Sequence, residues 1–502
     1  MITIGRGKPP AGVSSAYNVS VEVDGEAFVV NTRTQAVLPG GMSRKLHERA
    51  QRRLAPLEER FLRARGFIVD RTPDEERRAL EVEFHQARYR PAIVSLTVTP
   101  SYQCNCVCPE CPQLDYDRAP VISDQHLDAT VRTLEEMLMA RKAWNVALWL
   151  FGGEPLIATD QCLRVIQGAQ EVTRRLGVNL QVMATTNGTL ISSPRARAVV
   201  ENVDLFYVAL SESREMHGVQ RPYVNGKNGY DDTLAGIALA AQLGKKLIVR
   251  LNVTHREGII DNLGTVLREL HAAMGNTTYG DIKFEFHSFT FQPTCGVSGP
   301  KEYAAQSGRA LLLPRRGKSE EVRPRSLDMM SVLPELEQVA RQSPWPLDKF
   351  RLPHAAAIMP PPLSEVGFIT MCDYSRGSGV AVAPGGEHYL CAQHNEVPEY
   401  KMGHITRPLY NNARYLKIIN ASPFDDPTCA TCAYVPLCYV KKCAHELQDA
   451  YRGKDGRVRY SRAPACQRTA NSAFAELVRL KQRIAASEDS VDPRFPMKKV
   501  TQ

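Results

Sequence analysis

From residue 93 onward, short apolar runs alternate with stretches whose apolar residues recur every three to four positions, the pattern of strand followed by amphipathic helix. Ile93 to Thr99 is the first predicted strand. Ser123 to Arg141 follows as a helix, with Leu127, Val131, Leu134 and Leu138 on one face. The alternation continues with a strand at Val146 to Phe151, a helix carrying Leu163, Ile166, Ala169 and Val172 and closed by Gly177, and a strand at Leu180 to Ala184. Ser193-Pro194 supplies an N-cap and first-turn proline for a third helix. Strands at Leu205 to Leu210, Leu247 to Val253 and Ile282 to Phe286, with helices at Tyr230 to Leu243 and Leu263 to Met274, complete six units. Such a run predicts an α/β fold with a parallel sheet, a partial (βα)6 barrel whose ligands sit at the carboxyl ends of the strands.

Residues 1–92 have a different texture. Tyr17 to Val23 alternates apolar and polar, Asp24-Gly25 signals a turn, and Ala27 to Val30 continues as a second strand. Helices are predicted over Lys45 to Leu54 and Leu57 to Arg65, with Gly66 as a stop. Between Met42 and Gly66 eight Arg or Lys stand against three Glu, so this small α+β unit has a basic face. Residues 93–295 form the predicted barrel. Residues 296–365, with a basic turn-rich segment, a helix over Leu327 to Arg341 and the stiff Met359-Pro360-Pro361-Pro362, read as a bridge. A cysteine-rich region, 366–470, precedes a C-terminal helix and tail at 471–502.

Composition is that of a soluble globular protein, with 43% hydrophobic and 23% charged residues. No apolar run reaches the length of a membrane span and the N-terminus lacks a signal-peptide core, so a cytoplasmic location is expected. Thirteen cysteines in such a chain argue for metal or redox chemistry rather than disulfides. Eleven fall in two groups, and only Cys162 and Cys295 stand apart. The net charge of +9 permits an acidic partner without choosing one.

The first group is Cys104-Asn105-Cys106-Val107-Cys108-Pro109-Glu110-Cys111, directly after the first barrel strand. Cys104, Cys108 and Cys111 place three soft ligands at one point, which suits iron–sulfur or zinc, and three thiolates leave a position open for chemistry. Gly152-Gly153-Glu154-Pro155 ends the second strand and Thr185-Thr186-Asn187-Gly188 the third, and Arg250 lies on the fifth. Together these resemble the radical S-adenosylmethionine (SAM) superfamily. The resemblance implies a 4Fe–4S cluster on Cys104, Cys108 and Cys111, whose open iron chelates SAM and reduces it to a 5′-deoxyadenosyl radical. It further implies that Gly152, Gly153, Glu154 and Pro155 hold the SAM amino group, that Asn187 lies in the ribose-contacting segment, and that Arg250 meets the carboxylate. Two departures are visible: Glu110 replaces the usual aromatic before the third cysteine, and Ala209-Leu210-Ser211-Glu212 replaces Ser-x-Asp-Gly, although His217 and Arg221 match the pattern beyond it. Cys106 reads as a spectator thiol.

The second group, Cys372, Cys391, Cys429, Cys432, Cys438, Cys443 and Cys466, together with Ala383 to Cys391 and Lys401 to Ile405, resembles the SPASM domain of peptide and sulfatase maturases. By that resemblance Cys372, Cys391 and Cys443 serve one auxiliary 4Fe–4S cluster and Cys429, Cys432, Cys438 and Cys466 another, for three clusters in all. Cys295 or substrate could complete the first. The N-terminal unit resembles winged-helix leader-binding units. The implied function is modification of a leader-bearing, ribosomally made peptide through a thioether or carbon–carbon crosslink, with a flavodoxin or ferredoxin type of electron donor. The alternatives are an anaerobic sulfatase maturase forming formylglycine and, in another class, a zinc-ribbon nucleic-acid-binding protein, which would have no use for the Gly-Gly-Glu-Pro turn. No general base is assigned.

Overall fold

The computed structural model describes residues 13–23, 25–34, 36–38, 40–48, 54–89, 93–108, 111, 121–275, 281–288, 327, 329, 331–351, 377–392, 395, 401–420, 422–425, 427–437, 451–452 and 458–459. The N-terminal unit contains β1 (Val13–Ser14), β2 (Asn18–Val23), β3 (Glu26–Asn31), β4 (Val37–Leu38), α1 (Gly40–Glu48), α2 (Pro56–Ala64), β5 (Ile68–Val69) and α3 (Pro73–Tyr89). The predicted hairpin is present: β2 and β3 pair from Asn18↔Asn31 to Val23↔Glu26, and Gly25 turns between them at φ +80°. The first helix differs from expectation. It starts at Gly40 rather than Lys45, because Met42 and Leu46 pack against the core of Leu38, Leu62 and Phe67; tertiary packing outweighs the poor helix propensity of Gly40-Gly41. The basic face is also partly neutralised within the unit: Lys45 pairs with Glu58, and Arg63 with Glu59 (2.8 Å) and Asp70. Arg49, Arg52 and Arg53 lie outside the described residues.

The barrel elements are β6 (Ile93–Val98), α4 (Asp124–Arg141), β7 (Asn145–Leu150), α5 (Thr159–Leu176), β8 (Asn179–Thr186), α6 (Arg197–Asn202), β9 (Leu205–Ser211), α7 (Arg214–Gln220), α8 (Tyr230–Gln242), β10 (Lys246–Val253), α9 (Ile259–Met274) and β11 (Ile282–Ser288). Six parallel strands lie side by side in chain order, as the periodicity predicts. Ser123 caps α4 by accepting the His126 N–H, and Gly177 ends α5 in the left-handed region.

The sheet does not stop there. After α10 (Leu333–Gln342), β12 (Phe350–Arg351) pairs in parallel with β11, so the end of the bridge segment adds to the barrel wall. At the other edge β13 (Gly379–Val382) pairs in parallel with β6, and β14 (Glu387–Tyr389) and β15 (Lys401–His404) continue antiparallel, giving ten strands. The cysteine-rich region is therefore hydrogen-bonded into the barrel sheet next to the strand that leads to Cys104. Beyond β15 come α11 (Ala413–Ile419), α12 (Pro427–Ala430) and the short pair β16 (Tyr451–Arg452) and β17 (Val458–Arg459). This region also meets the N-terminal unit: Tyr89 OH donates to Asn420 Oδ1 (2.8 Å), Thr32 Oγ1 to the Ala433 carbonyl (2.5 Å), and Phe84 meets Phe424 edge-on. No helix among the described residues is long and apolar enough to cross a membrane.

Candidate active site

The strands divide their residues by parity. Val94, Leu96 and Val98 of β6 point toward the helices, and Ser95 and Thr97 toward the lumen; β10 does the same with Val249 and Leu251 against Arg250 and Asn252. The lumen is polar. Trp149 Nε1 donates to Thr185 Oγ1 (2.6 Å). Tyr207 OH donates to Glu285, which also accepts from Arg351 Nη1 (2.8 Å) and lies 3.4 Å from His287 Nε2. Burial opposes ionisation of Glu285, but hydrogen bonds from His287, Tyr207 and Arg351 outweigh it and hold the carboxyl at about 2.

At the carboxyl ends of β6, β7 and β8 three loops interlock. Gly153 N donates to the Ser101 carbonyl (3.2 Å) and Glu154 N to that of Gln103 (2.8 Å), so the turn after β7 grips the backbone leading into Cys104. A Cβ on Gly153 would stand 2.2 Å from the Tyr102 oxygen, and one on Gly152 (φ +130°) 2.4 Å from that of Ser101; no other residue fits either position. Pro155 opens a buried 3-10 turn. Glu154 is fully buried, and its carboxylate accepts from Thr186 Oγ1 (2.8 and 2.9 Å), Asn187 N (2.9 Å) and Leu156 N (3.1 Å). Burial raises its pKa to about 7 despite these donors. The carboxylate thus faces protein donors, tying β7 to β8. Asn187 in turn reaches the cysteine loop: its Nδ2 donates to Asn105 Oδ1 (2.8 Å) and lies 3.4 Å from Cys106 Sγ and 3.9 Å from Cys104 Sγ. Asn105 Nδ2 donates to Thr189 (2.8 Å). Cys106 is buried, its backbone N–H points at Cys104 Sγ (3.4 Å), and a hydrogen bond between the two thiols pulls the Cys104 pKa down.

At the ends of β9 and β10 buried polar atoms stand without hydrogen-bond partners among the described residues: Ser211 Oγ, both amide atoms of Asn252, Arg250 Nε, and nearby Arg221 Nε and Gln220 Oε1. Ser211 and Asn252 are cross-strand neighbours, and Arg250 lies opposite Glu285, whose oxygens are already taken. Desolvation works against the charge on Arg250. Glu212, in the departing tetrad, is buried and accepts from Thr254 N (2.8 Å) and His255 Nδ1 (3.2 Å), so it joins β9 to β10.

No family model and no curated protein matches the sequence. Solved structures do. Native anSMEcpe with bound AdoMet and Kp18Cys peptide matches with a TM-score of 0.50 at 17% identity, over 78% of this chain and 100% of that chain. Hexahistidine-tagged anSMEcpe with bound AdoMet gives 0.50 at 16%, over 78% and 99%. Streptococcus suis SuiB bound to precursor peptide SuiA gives 0.48 at 13%, over 91% and 100%. The fold is that of the radical SAM enzymes.

Within the radical SAM fold, Cys104, Gly152, Gly153, Glu154, Pro155 and Asn187 meet in one interlocked corner, Cys108 and Cys111 follow on the same loop, and Arg250 stands in the lumen below. Among the described residues no three His, Cys, Asp or Glu side chains converge on a single ion. Of the second cysteine group, Cys391 follows β14, and Cys429 and Cys432 share a turn in which Cys432 N donates to the Cys429 carbonyl (3.0 Å). Cys372, Cys438, Cys443 and Cys466, and Cys295, lie outside the described residues. The roles of Asn105, Asn252, Tyr207, Glu285 and Arg351 were not read from the sequence. The available signal was a polar residue at every second place within otherwise apolar strands.

Proposed function

We propose that the chain is a radical SAM enzyme of the SPASM type that modifies a ribosomally made peptide. One observation carries this reading: a loop of three thiols locked to a Gly-Gly-Glu-Pro turn beside a lumen with unpartnered buried polar atoms. Each such atom costs about 1–3 kcal/mol if left alone, so their clustering at strand ends fits a bound polar ligand. SAM has the matching groups: a carboxylate for Arg250, and hydroxyl and amino groups for Ser211, Asn252 and the Gly152–Pro155 edge. Cys104, Cys108 and Cys111 would hold a 4Fe–4S cluster. When bound, cluster and SAM supply a one-electron cleavage that yields a hydrogen-abstracting radical. The chain's own part is positional. Glu154 orients Thr186 and Asn187, Asn187 and Asn105 hold the loop, and Glu285, kept ionised by Tyr207, His287 and Arg351, fixes the lumen wall.

In the same reading Cys372, Cys391 and Cys443, and Cys429, Cys432, Cys438 and Cys466, carry two auxiliary clusters, and a flavodoxin- or ferredoxin-type donor supplies electrons. The N-terminal unit receives the leader, which would add a strand to the β2 edge. Peptide-bound anSMEcpe has the same fold, which supports a peptide substrate. The test is anaerobic purification and reconstitution. Brown protein with about twelve irons per chain that converts SAM to 5′-deoxyadenosine supports the reading, and colourless zinc protein overturns it. Tandem mass spectrometry of the peptide product separates a crosslink between two residues from a formylglycine at one.

A further inference from the structure

The cysteine loop is held from a second side. Val107 N donates to the Pro222 carbonyl (2.8 Å), Val224 N to that of Asn105 (3.0 Å), and Cys106 and Tyr223 are antiparallel bridge partners. Continuing this register by one pair sets Cys108 across from Arg221. The opposing strand is one arm of a hairpin closed by Pro222↔Asn228, with Tyr223 N donating to the Lys227 carbonyl (2.9 Å) and Gly226 turning at φ +80°. On its other side Arg221 N donates to the His217 carbonyl (2.8 Å) at the end of α7. The Arg221 backbone is therefore fixed on both flanks.

Its side chain keeps one open donor. Arg221 Nε is buried without a hydrogen-bond partner among the described residues, and the nearby charge of Arg250 has the same sign. The Arg221 guanidinium lies close enough for its charge to act on the Cys108 sulfur. A half-buried cation with an open buried donor, beside another cation, favours an anion. A four-iron core bound by thiolates is anionic overall and becomes more so on reduction, and nearby charge and hydrogen bonds to its sulfurs set its potential.

We propose that Arg221, set opposite Cys108 by the Pro222–Asn228 hairpin, is the cation that offsets the charge of a cluster on Cys104, Cys108 and Cys111 and raises its reduction potential. Arg250 is then left to the SAM carboxylate, and each guanidinium has its own anion. This rests on the reading above. Arg221 is a positioning residue: it acts on the reaction through the cluster.

The test is an anaerobic redox titration, followed by electron paramagnetic resonance, of the reconstituted enzyme and its Arg221→Lys and Arg221→Gln variants. The signal of this cluster is the one missing from the Cys104, Cys108 and Cys111 triple alanine variant. Arg221→Gln is expected to shift the one-electron equilibrium about tenfold toward the oxidised cluster, a potential lower by about 59 mV. Arg221→Lys, which keeps the charge, is expected to stay near the wild-type value. Equal potentials in all three proteins overturn the inference. If Arg221→Gln binds no iron at this loop while Arg221→Lys does, charge is still what the cluster requires; iron lost from both means that shape matters instead, and the inference fails. A wild-type protein that binds no cluster on this loop removes the reading of the site and the inference with it.

Discussion

The two faces of the barrel sheet are built by alternate residues of the same strands, yet they reach opposite states. The helix-side face, with Leu96, Leu148, Phe206, Val208, Val249 and Leu251, is fully buried against α4, α5, α8 and α9 and needs nothing more. The lumen face is polar and only partly satisfied: Glu285 has three partners, whereas Ser211, Asn252 and Arg250 retain unpartnered atoms. Apolar side chains are satisfied by any close neighbour, so the outer face closes on itself. Polar atoms need a specific partner in a specific direction, so the inner face is incomplete in proportion to what it must bind. Stability and chemistry are thus separated by one residue of offset along each strand.

That separation can be broken from either side. The largest effect is expected on the lumen rim: replacing Cys104, Cys108 and Cys111 together by Ala should reduce SAM cleavage to the background of cluster-free protein. Circular dichroism should show the wild-type fold, because none of the three belongs to the apolar core. Continued 5′-deoxyadenosine production would mean that the loop is not the cluster site. On the outer face, Leu251→Ala should cost about 2–5 kcal/mol of stability, seen as a lower urea midpoint, while SAM affinity of the folded fraction stays unchanged. Next to it in the chain but on the other face, Arg250→Met should raise the SAM dissociation constant about 10–100-fold, from the 1.5–3 kcal/mol of a charged hydrogen bond. It should leave the urea midpoint nearly unchanged, since it removes an unpartnered buried nitrogen; equal loss of stability and affinity would erase the distinction between faces.

The smallest effect concerns pH. His217 is buried against Tyr230 and its pKa falls from 6.5 to about 3, by burial and then by the Arg221 charge. Unfolded chains take up a proton at His217 below pH 6.5 and the folded protein does not. The His217 contribution to stability should therefore be full above that pH and fall by about 1.4 kcal/mol per pH unit as pH drops toward about 3. Glu285, held at about 2, adds a loss only below the usual 4.5. Glu154, raised to about 7, contributes the opposite slope between pH 4.5 and 7 in both proteins, so the His217 effect is read as a difference: the denaturation midpoint of the wild type relative to His217→Gln should fall as pH drops from 7 to 5.

Much of this was legible without coordinates. Strands β6 to β11 follow the apolar runs within a few residues, because their helix-side residues are apolar at every second place and short apolar runs bounded by helices mark strands. The cysteine triplet, the Gly-Gly-Glu-Pro turn and Asn187 were legible because each is a local cluster of unusual residues. The start of α1 at Gly40 was not, since local propensity argues against it and only the pocket around Leu38 favours it. Short β12 and β13 carry little periodicity of their own, and pairing to β11 and β6 makes them strands.

The sequence alone determined the order of the barrel strands and the local clusters of cysteine, glycine and carboxylate at their ends, since both depend on residue type and on spacing within about twenty positions. Only the tertiary structure decided what each polar residue is for. It turned the Glu154 carboxylate toward Thr186 and Asn187, set Asn105 between Asn187 and Thr189, and bridged Cys106 to Tyr223, two residues after Arg221. It also joined β13, in the cysteine-rich region, to β6, more than two hundred residues earlier in the chain. Such partners are far apart in sequence, and a hydrogen bond has no reality until folding brings donor and acceptor within about 3 Å.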